Sequence, residues 1–170
     1  MIWFVGKKGE KNRSVASYKA SSGYRGPSSI GFINFQDVSY QNKEFGPVPA
    51  ADYSINLQLN PDRFAGYDHQ TGELYAGEGM QRIPKNIVIN GIPYPQGGWG
   101  NNRARLDLVS GDVFGRHNFY FHDSEKGYTH GCVESSWQNF SLLRAYRQKY
   151  KSIDFRVRYT GTTSYGGTDQ

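Results

Sequence analysis

Apolar positions in this chain recur at every second residue more often than at every third or fourth. Residues 53–60 set Ile55, Leu57 and Leu59 against Ser54, Asn56 and Gln58, and residues 103–108 set Ala104, Leu106 and Leu108 against Arg103, Arg105 and Asp107. Ile153, Phe155, Val157 and Tyr159 repeat the pattern near the C-terminus. Alternation with period two predicts half-buried strands. Residues 1–5 predict a first strand, broken at once by Gly6-Lys7-Lys8-Gly9, and residues 14–20 and 30–35 predict two more around a turn at 21–27. Ile87-Val88-Ile89 reads as a buried strand, with a turn over 93–98. Residues 60–80, rich in Asn, Asp and Gly, read as a surface excursion with His69 in solvent. Gly46-Pro47-Val48-Pro49 forbids helix and central strand and predicts a rigid extended loop.

The period changes once. After Glu134, Trp137, Phe140, Leu143 and Tyr146 or Tyr150 recur at helical spacing, with Ser135 or Ser136 as N-cap and Gln138 three places after Ser135 as in a capping box. Arg144, Arg147, Lys149 and Lys151 enrich its last half, as the helix dipole favours. A helix starting there would aim its first amides at Cys132. The expectation is a single mainly-β domain over residues 1–160 with one α-helix, and a flexible Gly/Thr/Ser tail over 161–170.

Composition narrows this picture. A length of 170 residues suits one domain, and 21 glycines and 13 tyrosines fit turns, bulges and half-buried sheet faces. The net charge of +5, from 20 basic and 15 acidic residues, is spread without a basic run; the balance fits contact with an anionic polymer, solvated surface charge is the commoner explanation, and no nucleic-acid partner is expected. One cysteine rules out an internal disulfide. No apolar run is long enough for a membrane span or a signal-peptide core, so the expectation is synthesis in the cytoplasm without a cleaved signal.

The candidate chemistry is concentrated in residues 117–132, which hold three of the four histidines and the only cysteine. A thiol needs a base or favourable dipoles to act as a nucleophile at neutral pH, and His122 and His130 are the bases at hand. If residues 115–122 form one strand, Arg116, Asn118, Tyr120 and His122 share a face, while His117 joins Phe119 and Phe121 on the apolar one. The turn-rich segment 123–127 then folds Cys132 back toward His122. A metal held by His122, His130 and Cys132 is the alternative use of the same residues. Arg103 and Arg105, on one strand face, are what a carboxylate-ended substrate would need, because a guanidinium fork binds carboxylate through two parallel hydrogen bonds.

Thr129-His130-Gly131-Cys132, following a strand that ends in His122, resembles the signature of the L,D-transpeptidase catalytic domain. Trp99-Gly100-Asn101-Asn102-Arg103 upstream, and Gly46-Pro47-Val48-Pro49 with Tyr53, are similar to the branch of that family used as type VI secretion effectors. The resemblance implies a β-sandwich with one α-helix after the catalytic cysteine loop. It implies Cys132 as acyl-accepting nucleophile, His122 as general base, and His130 and Gly131 as residues shaping the loop and its oxyanion donors. Trp99, Arg103, Arg105, Asn118, Tyr120 and Thr129 are then expected to meet the substrate, and no cofactor is called for. The implied substrate is the tetrapeptide stem of peptidoglycan. The implied setting is the periplasm of a target bacterium, reached by secretion machinery and opposed by a periplasmic immunity protein. Two departures stand out: only ten positions separate His122 from Cys132, and Glu134 replaces the usual Asn or Arg two places after the cysteine. A metal-dependent hydrolase and a non-catalytic wall-binding module remain as rival readings, separable by zinc content and by the reactivity of the thiol.

Overall fold

The computed structural model describes residues 2–5, 14–29, 31–96, 98–124 and 126–159. Fifteen strands and one α-helix occur among them. The chain opens with the antiparallel pair β1 (Ile2–Val5) and β2 (Ser14–Tyr18), followed by β3 (Ala20–Ser22) and the hairpin β4 (Arg25–Ser28) and β5 (Gly31–Asn34). Next come β6 (Asp52–Asn56), β7 (Arg63–Phe64), β8 (Met80–Arg82), and the hairpin β9 (Asn86–Ile89) and β10 (Ile92–Pro95). The remaining elements are β11 (Asn102–Arg105), β12 (Asp107–Ser110), β13 (Tyr120–His122), β14 (Val133–Ser135), α1 (Gln138–Arg147) and β15 (Ser152–Arg156). Among the described residues the protein is mainly β with a single α-helix after the cysteine loop, as the alternation and its one change of period predict. The expected loose tail, residues 161–170, lies outside the described residues.

Two sheets carry the core. A six-stranded sheet runs β3-β14-β13-β11-β8-β7, and a three-stranded sheet runs β12-β6-β15. Register explains why one side of the larger sheet is apolar. Met80 pairs with Ala104, Ala104 with Phe121, and Phe121 with Val133, so all four project from the same face. They join Tyr53, Ile55 and Leu57 of the β6 segment and Phe140 and Leu143 of α1 in one cluster. The Phe121 and Phe140 rings stack 5.2 Å apart at 10°. Burying the Phe121 side chain alone stabilises the fold by about 1.5–3 kcal/mol.

Several expectations are corrected. The stretch before β13 is not a strand: Gly111, Phe114, Gly115 and Asn118 all have positive φ, so alternation fails between 111 and 118, and His117 and Asn118 are both exposed. His117 is therefore not on the apolar side, and Asn118 does not share the face of His122. Ser135 caps no helix. It sits in β14, where Glu134 and Ser135 pair with Ser21 and Ala20, and α1 starts at Gln138 without a side-chain cap. α1 packs on the apolar face of the sheet through Phe140 and Leu143. Ser21 and Ser22, expected in a turn, form β3. Ile87-Val88-Ile89 belongs to a two-stranded hairpin in which only Ile87 is buried and Val88 is 41% exposed, while residues 93–95, expected in a turn, lie in its second strand. Leu59 and Leu108 are likewise exposed. Among the described residues no helix is long and apolar enough to cross a membrane.

Candidate active site

The opposite face of the six-stranded sheet carries the chemistry. Gln81 pairs with Arg103, Arg103 with His122, His122 with Glu134, and Glu134 with Ser21, so five polar side chains form one row across five strands. Arg103, His122, Glu134 and Ser21 are all buried. A buried polar row is tolerated only if its members satisfy one another. Here they do. Glu134 Oε1 accepts from Ser21 Oγ (2.8 Å) and from the Gly127 amide, and Oε2 accepts from Ser124 Oγ and from the Lys126 amide (3.3 Å). Ser124 Oγ lies 3.1 Å from His122 Nδ1.

Cys132 precedes β14 and lies beside Tyr120, whose backbone hydrogen-bonds the sulfur. Its carbonyl accepts from Ser22 Oγ (2.7 Å) and Thr129 Oγ1 (2.5 Å), and Ser22 Oγ in turn accepts from the Val48 amide (2.8 Å). The Gly46-to-Pro49 loop is thus tied to the cysteine through Ser22. Gly131, at φ 97°, sits against Arg116: a Cβ there would lie 2.2 Å from Arg116 Nη2. That guanidinium is held by the carbonyls of Gln41 (2.6 Å), Pro47 (2.7 Å), Gly46 (3.0 Å) and Glu44 (3.2 Å).

Burial sets the resting protonation of the pair. It pushes the Cys132 thiol from 9.0 up to about 11, against the Tyr120 backbone hydrogen bond and the charges of Arg103, Arg116 and Lys126, which favour thiolate. It pulls His122 from 6.5 down to about 3, helped by Lys126 and Arg103 and opposed by a Trp99 backbone hydrogen bond. Both groups sense the same two cations, and both rest neutral at pH 7. The thiol is therefore not stored as thiolate.

The other sequence-derived candidates divide clearly. Trp99 packs over the site, its ring centroid 5.1 Å from that of His122 and 5.8 Å from that of Tyr120. Its loop is fixed by Asp123, whose Oδ1 accepts from the amides of Asn101 (2.5 Å) and Asn102 (2.7 Å). Gly100, at φ 76°, passes so close to Asp123 that a Cβ would fall 2.4 Å from Oδ1. Arg103 lies 4.5 Å from the Tyr120 ring centroid, with Nε donating to Gln81 Oε1 (3.0 Å) and Nη2 to Tyr75 O (2.5 Å). With that edge committed, Arg103 is a fixed cation behind the site and not the two-pronged clamp the sequence suggests. Arg105, the register partner of Tyr120, keeps a buried Nε without a hydrogen bond, 3.8 Å from Asp107 Oδ1.

Two expected substrate contacts are spoken for. Tyr120 hydroxyl donates to Gly77 O (3.0 Å) and accepts from Gly77 N (2.8 Å). Thr129 Oγ1 bridges Cys132 O and the Gly23 amide. His130 lies at the surface with its ring partly covered by Tyr24 (5.3 Å) and Phe45 (5.0 Å). Among the described residues no group of three or more His, Cys, Asp or Glu side chains is placed to hold a metal. A cavity of about 360 Å³ lined by Phe64, Ile83, Lys85 and Arg144 with Asn101 and Asn102 borders the far end of the Trp99 loop. It contains no cysteine and no histidine.

No family model and no curated protein matches this chain.

Sequence reasoning missed Ser124, Glu134 and Ser21. A signal was present for the first two: His122 and Ser124 stand two apart, as do Cys132 and Glu134, and strands paired with this register bring both couples to one face.

Proposed function

We propose that the protein is a cysteine-dependent acyl transferase of the L,D-transpeptidase type, acting on the tetrapeptide stems of peptidoglycan. The observation that carries the reaction class is the buried Cys132 and His122 on one sheet face, both neutral at rest, with Arg103 and Lys126 acting on both. The substrate class rests on the resemblance of residues 129–132 and 99–103 to that family. In the proposed reaction His122 takes the thiol proton as Cys132 Sγ attacks the carbonyl carbon before the terminal D-residue. The oxyanion is received by amides at the Gly131–Cys132 step, where electrostatic stabilisation is worth most because water is excluded. The protonated His122 then gives its proton to the departing amine, leaving a thioester on Cys132. Water or a second amine attacks that thioester, His122 takes the attacker's proton, and the thiol is restored on release. Arg105 is the guanidinium with spare donor capacity for a stem-peptide carboxylate.

Incubation with tetrapeptide muropeptides, followed by mass spectrometry, tests the reading. Loss of the terminal residue or its exchange is expected for the wild type, and neither for Cys132→Ala. His122→Ala should lower the rate by roughly 10²- to 10⁴-fold, the usual loss with a general base. Turnover that survives in a folded Cys132→Ala protein would rule out the cysteine mechanism.

A further inference from the structure

We infer that Glu134, acting through Ser124, is the positioning residue that fixes which nitrogen of His122 carries its proton. Hydrogen-bond direction supplies the argument. A carboxylate only accepts, so each group facing Glu134 must donate to it. Ser124 has one hydroxyl hydrogen, and it goes to Glu134 Oε2. What remains on Ser124 Oγ toward His122 Nδ1, 3.1 Å away, is a lone pair. The imidazole meets it with Nδ1–H, the single ring hydrogen that in this assignment also serves the Trp99 backbone, and the lone pair of the neutral ring is then on Nε2. That is the nitrogen a general base needs free. The assignment rests on the reading of His122 as the base, but the tautomer is measurable without any substrate.

The rest of the Glu134 environment makes the direction hard to reverse. Ser21 Oγ and the amides of Lys126 and Gly127 supply the other three donors, and an amide cannot turn round to accept. Glu134 also holds the start of the 126–132 loop to β14, so one carboxylate ties the base, through Ser124, to the loop that delivers the nucleophile.

Glu134→Gln separates the two roles. The new amide NH₂ settles on the Oε2 side, where the Lys126 amide at 3.3 Å is the looser of the two fixed donors. It then donates to Ser124 Oγ, and the Ser124 hydrogen turns to His122 Nδ1. The ring must shift to the Nε2–H form, which has no lone pair for the thiol proton. A wrong tautomer with intact geometry can lower kcat by about four orders of magnitude in a triad enzyme.

Nitrogen-15 NMR of histidine-labelled protein at pH 7 reads the tautomer directly. The wild type should show His122 with a protonated, pyrrole-like Nδ1 and a pyridine-like Nε2. Glu134→Gln should show the reverse and lose roughly 10²- to 10⁴-fold in kcat with KM changed by less than about threefold. Ser124→Ala keeps three of the four donors to Glu134 and serves if Glu134→Gln does not fold; it should give a mixed tautomer and a smaller loss. Glu134→Asp, which keeps the acceptor, should restore the Nδ1–H form. An Nε2–H ring in the wild type, or an unchanged Nδ1–H ring in folded Glu134→Gln and Ser124→Ala, overturns the inference. If the tautomers behave as stated and no muropeptide is turned over by any form, the relay stands and the proposed reaction falls.

Discussion

Acidification should weaken this fold well before its carboxylates titrate, and His122 is the reason. The group titrates at 6.5 when free and at about 3 in the folded chain, because a charged imidazole in the sheet interior would lose its hydration beside Arg103 and Lys126. With the folded value depressed, the unfolded chain binds the extra proton between these limits. The stabilising contribution is complete above pH 6.5 and is lost progressively as pH falls toward 3. At pH 5 the difference in proton binding amounts to about 2 kcal/mol, and over the whole window to about 5 kcal/mol. Urea unfolding of the wild type and of His122→Asn, each at pH 7.5 and pH 5, isolates this term. His130 shifts in the same direction through burial but is common to both proteins and cancels. The raised Cys132 thiol is silent here, since its contribution is full below pH 9 and fades only toward 11. The wild type should lose about 2 kcal/mol more than the variant on going to pH 5. An equal loss in both would mean that His122 is solvated or already charged in the folded state.

Alkylation of Cys132 by iodoacetamide at pH 7.5 should be about 100-fold slower in the folded protein than in urea, since a two-unit rise removes that share of thiolate; an equal or faster folded rate would mean a stored thiolate. Gly131→Ala should destabilise by more than about 2 kcal/mol in urea titrations, combining a strained positive φ with a clash against an Arg116 already held by four carbonyls; a neutral result would show that the loop can shift away. Expression in the cytoplasm should be tolerated, whereas fusion to a periplasmic export signal should cause swelling or lysis that requires Cys132 and His122; equal toxicity from both compartments would remove the cell wall as target.

The elements that could be read from sequence are those whose signal is local. Tyr53, Ile55 and Leu57, and Ala104 and Leu106, alternate in sequence and are buried as alternation requires. The split between Phe121 on the core side and His122 on the polar side follows from the same parity. Parity failed at His117 and Asn118 because it presumes an extended chain, and the glycines and asparagine at 111, 115 and 118 break that extension with left-handed turns. The role of Arg103 was half legible: the face was right, but its commitment to Tyr75 and Gln81 depends on strands joined only in the fold. Glu134 and Ser124 were hidden for the same reason. Neither residue type is unusual in a loop or strand, and only the parallel register of β13 with β14 makes them a couple.

The placement of β3 has a consequence for when the site comes into being during folding. The segment joining β13 to β14 closes within a dozen residues, so His122, Ser124, Cys132 and Glu134 can meet as soon as that stretch collapses. Ser21 and Ser22, which steady Glu134 and the Cys132 carbonyl, arrive from 113 and 110 residues away. Closing a loop of that length costs about 2 kcal/mol more in chain entropy than closing the short one. Docking of β3 is thus the slow, non-local step, and a chain in which it has not occurred would carry the reactive residues without the hydroxyls that hold them in register. Selective opening of that edge strand would release the Ser21 and Ser22 hydroxyls from Glu134 and the Cys132 carbonyl while leaving the separate β12-β6-β15 sheet paired.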